Sequence, residues 1–139
     1  MCFGQFSEDD VDTIAIRLNK LEGLRCGATR LGAKSLRRIA SLTHLQHLHI
    51  VGAKKFPPEE QACLAQLTHL SSLHISSMPV SDAGIRSFLP RLTSLRRLAL
   101  RFCNGPLGDE FWVLISALAH LEQLAMLCTP VSAHYWSSS

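Results

Sequence analysis

A nine-residue apolar pattern returns five times along this chain, at a spacing that a stacked architecture of small units explains. It begins at Leu18 (L-N-K-L-E-G-L-R-C), Leu42 (L-T-H-L-Q-H-L-H-I), Leu67 (L-T-H-L-S-S-L-H-I), Leu92 (L-T-S-L-R-R-L-A-L) and Leu118 (L-A-H-L-E-Q-L-A-M). Successive starts lie 24, 25, 25 and 26 residues apart. A steady period in this range marks a solenoid. One unit has too little apolar surface to hold itself together, so the copies must stack and share a core.

Each period divides into a strand and a helix. The end of each copy alternates apolar and polar residues, which predicts short strands centred on Leu24 and Cys26, Leu48 and Ile50, Leu73 and Ile75, Leu98 and Leu100, and Leu124 and Met126. Helical spacing fills the stretches between them. Ser7 followed by Glu8, Asp9 and Asp10 starts a helix to about Leu18, with Val11, Ile14, Ala15 and Leu18 on one face. A second helix runs from about Ala33 to Ser41, with Leu36, Ile39 and Leu42 inward and Lys34, Arg37 and Arg38 outward. Pro57-Pro58-Glu59-Glu60 opens a third, reaching about Gln66. Ser81 or Asp82 caps a fourth to about Arg91, burying Ile85, Phe88 and Leu89. Asp109 caps a fifth, from about Glu110 to Ala119, with Phe111, Leu114, Ile115 and Leu118 inward. Residues 1–6 carry no strong signal.

The pattern resembles the leucine-rich repeat family, over about residues 18–131. The resemblance implies an α/β solenoid, with five short parallel strands on the concave side and helices on the convex side. One domain is expected over residues 1–139, with a helical half-repeat at 7–18 and an incomplete half-repeat at 129–139. Strands joined through helical crossovers should coil right-handed. In that family an asparagine, cysteine or threonine after the strand bonds to neighbouring loops. Thr29, Cys103 and Thr129 suit that position, whereas Ala53 and Met78 depart from it, so their loops must satisfy backbone groups otherwise. V-S-D-A-G-I at Val80 to Ile85 looks like the helix start of the cysteine-containing class, which is frequent in substrate receptors of ubiquitin ligases. No F-box-like segment is apparent. The resemblance implies a recognition module and supplies no catalytic residue.

Five cysteines without C-x-x-C spacing argue against a disulfide framework and a zinc knuckle. Cys26 occupies an inward repeat position and reads as a small buried hydrophobe. The expected setting is reducing and intracellular, cytoplasmic rather than secreted. No basic start followed by an apolar run is visible, and no apolar run suggests a membrane span. Fourteen basic and 11 acidic residues leave a net charge of +3, below what a dedicated nucleic-acid binder carries.

Strand alternation selects the outward residues. They are Gly23, Arg25 and Gly27; His47, His49 and Val51, with Gln46 at the strand edge; Ser72, His74 and Ser76; Arg97, Ala99 and Arg101; and Gln123, Ala125 and Leu127. The expected partner-binding set is His47, His49, Ser72, His74, Arg97, Arg101, Gln123 and Leu127. The leading reading is a non-catalytic scaffold that binds a protein partner, with acidic residues on that partner. Binding should then tighten as pH falls from about 7.5 to 6, as histidines gain charge. An RNA- or anion-binding module, using Arg97, Arg101, Arg30, Lys34, Arg37 and Arg38, is one alternative, and the substrate-recognition part of a ubiquitin ligase, which the resemblance implies, is another. No P-loop, G-x-G-x-x-G, G-x-S-x-G or H-E-x-x-H is present, so no catalytic residue and no cofactor is expected. His47, His49 and His74 lack a carboxylate or cysteine to complete a metal set, so no metal site is expected either. His44, His69 and His120 recur before a repeat leucine and read as loop-facing. The last strand is nearly uncharged, which suggests end-to-end self-association or a lid formed by Tyr135 and Trp136.

Overall fold

The computed structural model describes residues 2–5, 7–27, 33–51, 58–76, 82–103 and 108–128. The elements are β1 (Cys2–Gln5), α1 (Glu8–Arg17), β2 (Gly23–Gly27), α2 (Ala33–Ala40), β3 (His47–Val51), α3 (Pro58–Gln61), β4 (Ser72–Ser76), α4 (Asp82–Phe88), β5 (Arg97–Cys103), α5 (Asp109–Ser116) and β6 (Gln123–Cys128). All strands are parallel and in chain order, β1-β2-β3-β4-β5-β6. Helices α1 to α5 form the second layer, each against the next.

The L-x-x-L motif has a structural meaning. Its second leucine donates its N–H to the carbonyl of the first, closing a turn at Leu21, Leu45, Leu70, Leu95 and Leu121 over 3.0–3.2 Å. The residue pair after that turn then docks on the previous repeat. Gln46 and His47 donate to the Glu22 carbonyl at 2.7 and 3.0 Å, and Ser71 and Ser72 donate to that of Gln46 at 2.8 and 3.0 Å. Arg96 and Arg97 bond Ser71, and Glu122 and Gln123 bond Arg96, in the same way. Backbone groups at the strand starts are thus satisfied without reference to side-chain identity. This leaves the outward side chains free to differ.

The repeat leucines form one core. Leu42, Leu45, Leu48, Leu67, Leu70, Leu73, Leu92, Leu95 and Leu98 are all buried, with Ile50, Ile75, Leu100 and Cys26 completing the inward row. Helix residues Leu36, Ile39, Leu64, Ile85, Phe88 and Phe111 close it from the other side.

Several sequence expectations need correction. Residues 2–5 form a strand whose Cys2 and Gly4 stand in register with Leu24 and Cys26, so the sheet begins one strand earlier than the leucine pattern. C-F-G-Q is too short to show periodicity, and its pairing edge is what makes it a strand. Leu18, the C-cap of α1, is 44% exposed and not part of its buried face. The third helix is only four residues long and continues as a 3-10 turn, Ala62–Gln66. The fourth likewise passes into a 3-10 turn, Leu89–Arg91. There Pro90 supplies no N–H and its ring stops the α-helix. A 3-10 turn also advances further per residue, which helps close a short repeat. Asp109 does not cap α5. Gly108 is the N-cap, and its N–H donates to both Asp82 carboxylate oxygens at 3.0 and 3.2 Å. Leu114 and Ile115 are only half-buried. The readings placed on Thr29, Arg30, Ala53, Met78, Thr129, Tyr135 and Trp136 lie outside the described residues.

Candidate functional site

The register sorts the outward side chains of β2 to β6 into three rows. Gly23, His47, Ser72, Arg97 and Gln123 form the first, and Arg25, His49, His74, Ala99 and Ala125 the second. Gly27, Val51, Ser76, Arg101 and Leu127 form the third. Helices cover the opposite face, so these rows constitute the open face. Arg25, His47, Arg97, Arg101, Gln123 and Leu127 are exposed, and His49, Ser72, His74 and Ser76 are half-buried.

The middle of the face holds an organised cluster. The His49 and His74 rings stack with centroids 3.7 Å apart and planes 10° from parallel. Neighbouring strands are about 4.8 Å apart, so directly paired imidazoles tilt into ring contact without strain. Ser76 Oγ lies 2.9 Å from His74 Nε2 and 3.5 Å from His49 Nε2. A shallow hollow of about 280 Å³ opens beside the stack, between Arg25, His47, Ser72 and the two rings.

Electrostatics at the cluster oppose protonation. Burial first, then His74, Arg25 and Arg101, push the His49 pKa from its ordinary 6.5 down to about 4. Burial, Arg101 and Arg25 push His74 down as well. The gain of charge expected near pH 6.5 is therefore moved to lower pH for these two residues. In the free protein His49 stays neutral between pH 7.5 and 6, and His74 is shifted the same way, because stacking half-buries each ring and two guanidinium groups repel the proton.

The cluster joins some of the expected site residues and separates others. His49, His74 and Arg101 belong to it, and His47 and Ser72 border the hollow. Arg97 stands in the first row. Gln123 and Leu127 sit on β6, with β5 between them and the histidines. Arg25, absent from the expected set, belongs to the cluster. Its register opposite His49 was the available signal. Among the described residues no group of three or more histidine, cysteine or acidic side chains converges as metal ligands. His44, His69 and His120 are exposed and lie off the sheet rows. On the helical side, Arg38 is paired with Asp12 at 3.1 Å. Burial raises the Cys26 thiol pKa to about 11, as its core position requires.

Two solved structures share this architecture. An internalin (inlF) from Listeria monocytogenes strain 4b F2365 superposes with a TM-score of 0.57 at 15% identity, over 86% of this chain and 38% of its own. Internalin C2 (inlC2) from the same strain gives 0.55 at 19% identity, over 84% of this chain and 55% of its own. Both are leucine-rich repeat proteins. The fold is an α/β leucine-rich repeat solenoid. At these identities the likeness concerns the fold alone, and the chain spans about half or less of each internalin. No family model and no curated protein matches the solenoid's sequence. No helix among the described residues is long and apolar enough to cross a membrane.

Proposed function

We propose that the chain is a non-catalytic protein-interaction module that binds a partner protein through the open face of its sheet. The residues in contact are His47, His49, Ser72, His74, Arg97, Arg101, Gln123 and Leu127, with Arg25 added. The observation that supports this is the division of labour within each strand. Leu48 and Ile50, or Leu73 and Ile75, are fixed in the core, while the residues between them differ from strand to strand on an uncovered face. Such an array presents many groups from rigid elements, so little ordering entropy opposes binding.

A site-specific photo-crosslinker tests the reading. Placed at Ser72, it should capture a discrete partner from a native extract. Placed at Lys34, on the exposed side of α2, it should not. Capture from Lys34 with none from Ser72 would place the binding surface on the helical layer.

A further inference from the structure

The charged residues in the outward rows of β2 to β6 are all of one sign. Across its three rows the open face carries Arg25, Arg97 and Arg101 and no aspartate or glutamate.

Two of these arginines bracket the stacked histidines. Arg25 lies on β2, in the row of His49, and Arg101 lies on β5, in the next outward row, two residues beyond Ala99. Both act on both imidazoles strongly enough to oppose their protonation. Such a field is unfavourable for a cation and favourable for a carboxylate, which cancels the repulsion on arrival. From β2 to β5 the sheet spans three inter-strand steps, about 14 Å. That is about the reach of four extended residues. Between the arginines, the imidazole stack and Ser76 Oγ form a platform already held in place.

We propose that the open face takes an acidic segment of a partner protein, laid across β2 to β5, with its carboxylates held by Arg25 and Arg101 on either side of the His49–His74 stack. This rests on the reading that a partner binds the open face, and adds the chemistry the partner brings. RNA fits less well, because its bases need exposed aromatic faces. Here the two imidazoles are stacked on one another, and no Phe, Tyr or Trp stands in the rows of β2 to β6. The groups that meet the stack are Arg25 from β2, Ser76 from β4 and Arg101 from β5, with His47 of β3 beside the adjoining hollow. None of them is an acid, so a bound carboxylate is the new charge the histidines meet, and it raises their pKa.

The test uses the full chain and three fluorescein-labelled probes. These are a peptide of alternating aspartate and serine, its asparagine counterpart, and an oligo-uridine of equal formal charge. Fluorescence anisotropy should show binding of the aspartate peptide and not of the asparagine peptide. Arg25→Gln combined with Arg101→Gln should weaken it about tenfold or more. Lys34→Gln combined with Arg37→Gln should change it less than about twofold. Affinity should rise between pH 7 and 5, and His49→Gln combined with His74→Gln should flatten that rise. Unchanged denaturant midpoints establish that the variants are folded. The proposal is overturned if the aspartate peptide does not bind, if the double arginine variant binds it normally, or if oligo-uridine binds more tightly. Crosslinking at Ser72 separates the two readings. Capture there alongside a failed aspartate peptide leaves the open face as the binding surface and removes the acidic partner.

Discussion

At the scale of single residues, position within the alternation decides the cost of a change. Leu48 and Leu73 are buried, so Leu48→Ala or Leu73→Ala should each lower stability by about 2–5 kcal/mol. Gln46→Ala, on the exposed edge, should cost less than about 0.5 kcal/mol, and denaturant midpoints measure the contrast. Gly84 presents a subtler case. A Cβ there would lie 2.5 Å from Oε1 of Gln61, whose side chain is itself buried. Gly→Ala in a helix ordinarily gains up to about 1 kcal/mol. Overpacking typically costs about 1–3 kcal/mol, so Gly84→Ala should be neutral to destabilising. In a Gln61→Ala background the overlap is gone and the same change should become stabilising. Calorimetric melting of the four proteins reads that reversal of sign. Leucine spacing made the core positions legible, and alternation placed His49 beside His74. The stacking of their rings, their suppressed charge and the contact of Gln61 with Gly84 depend on rotamers and on residues from other repeats. No local pattern reports such things.

Among elements, α5 is instructive because its N-terminus is capped from another repeat. Gly108 has no side chain to accept a bond, and the Asp82 carboxylate at the start of α4 takes its N–H instead. A negative charge also sits favourably at a helix N-terminus. Asp82→Ala should therefore cost about 0.5–2 kcal/mol, the range for losing a cap. Hydrogen exchange should show the loss at α5 more than at α4. By contrast, α1 is capped locally. Ser7 and Asp10 form a reciprocal box, at 3.3 and 3.0 Å, which the S-E-D-D string made readable. The two helices show which caps a sequence discloses: those closed within three residues, and not those closed across 26.

For the molecule as a whole, stability should vary along the stack, since each repeat is supported mainly by its neighbours. β6 shows the consequence. Leu124 fills the position held by Leu98 one repeat earlier, yet is 37% exposed where Leu98 is 2%. Leu98→Ala should cost about 2–5 kcal/mol, whereas Leu124→Ala should cost clearly less. Acid should also destabilise the fold through the histidine stack. The His49 pKa is lowered in the native state, so below about 6.5 the unfolded chain takes up a proton that the folded chain refuses until about 4. The melting temperature should therefore fall between those values, and fall less in His49→Gln. The solenoid and its register were legible because five copies repeat one instruction, whereas β1 was not, having no copy of that instruction. The strand-start bonds carry a broader consequence. They run from backbone to backbone, from Glu22 through Gln46, Ser71 and Arg96 to Gln123, without using the outward side chains of the sheet rows. The three rows on five strands therefore behave as a keyboard of 15 sites whose letters can be rewritten while the frame beneath stays the same. A lineage bearing such a frame can change the chemistry of its open face through a few surface substitutions, with little penalty in folding for each step.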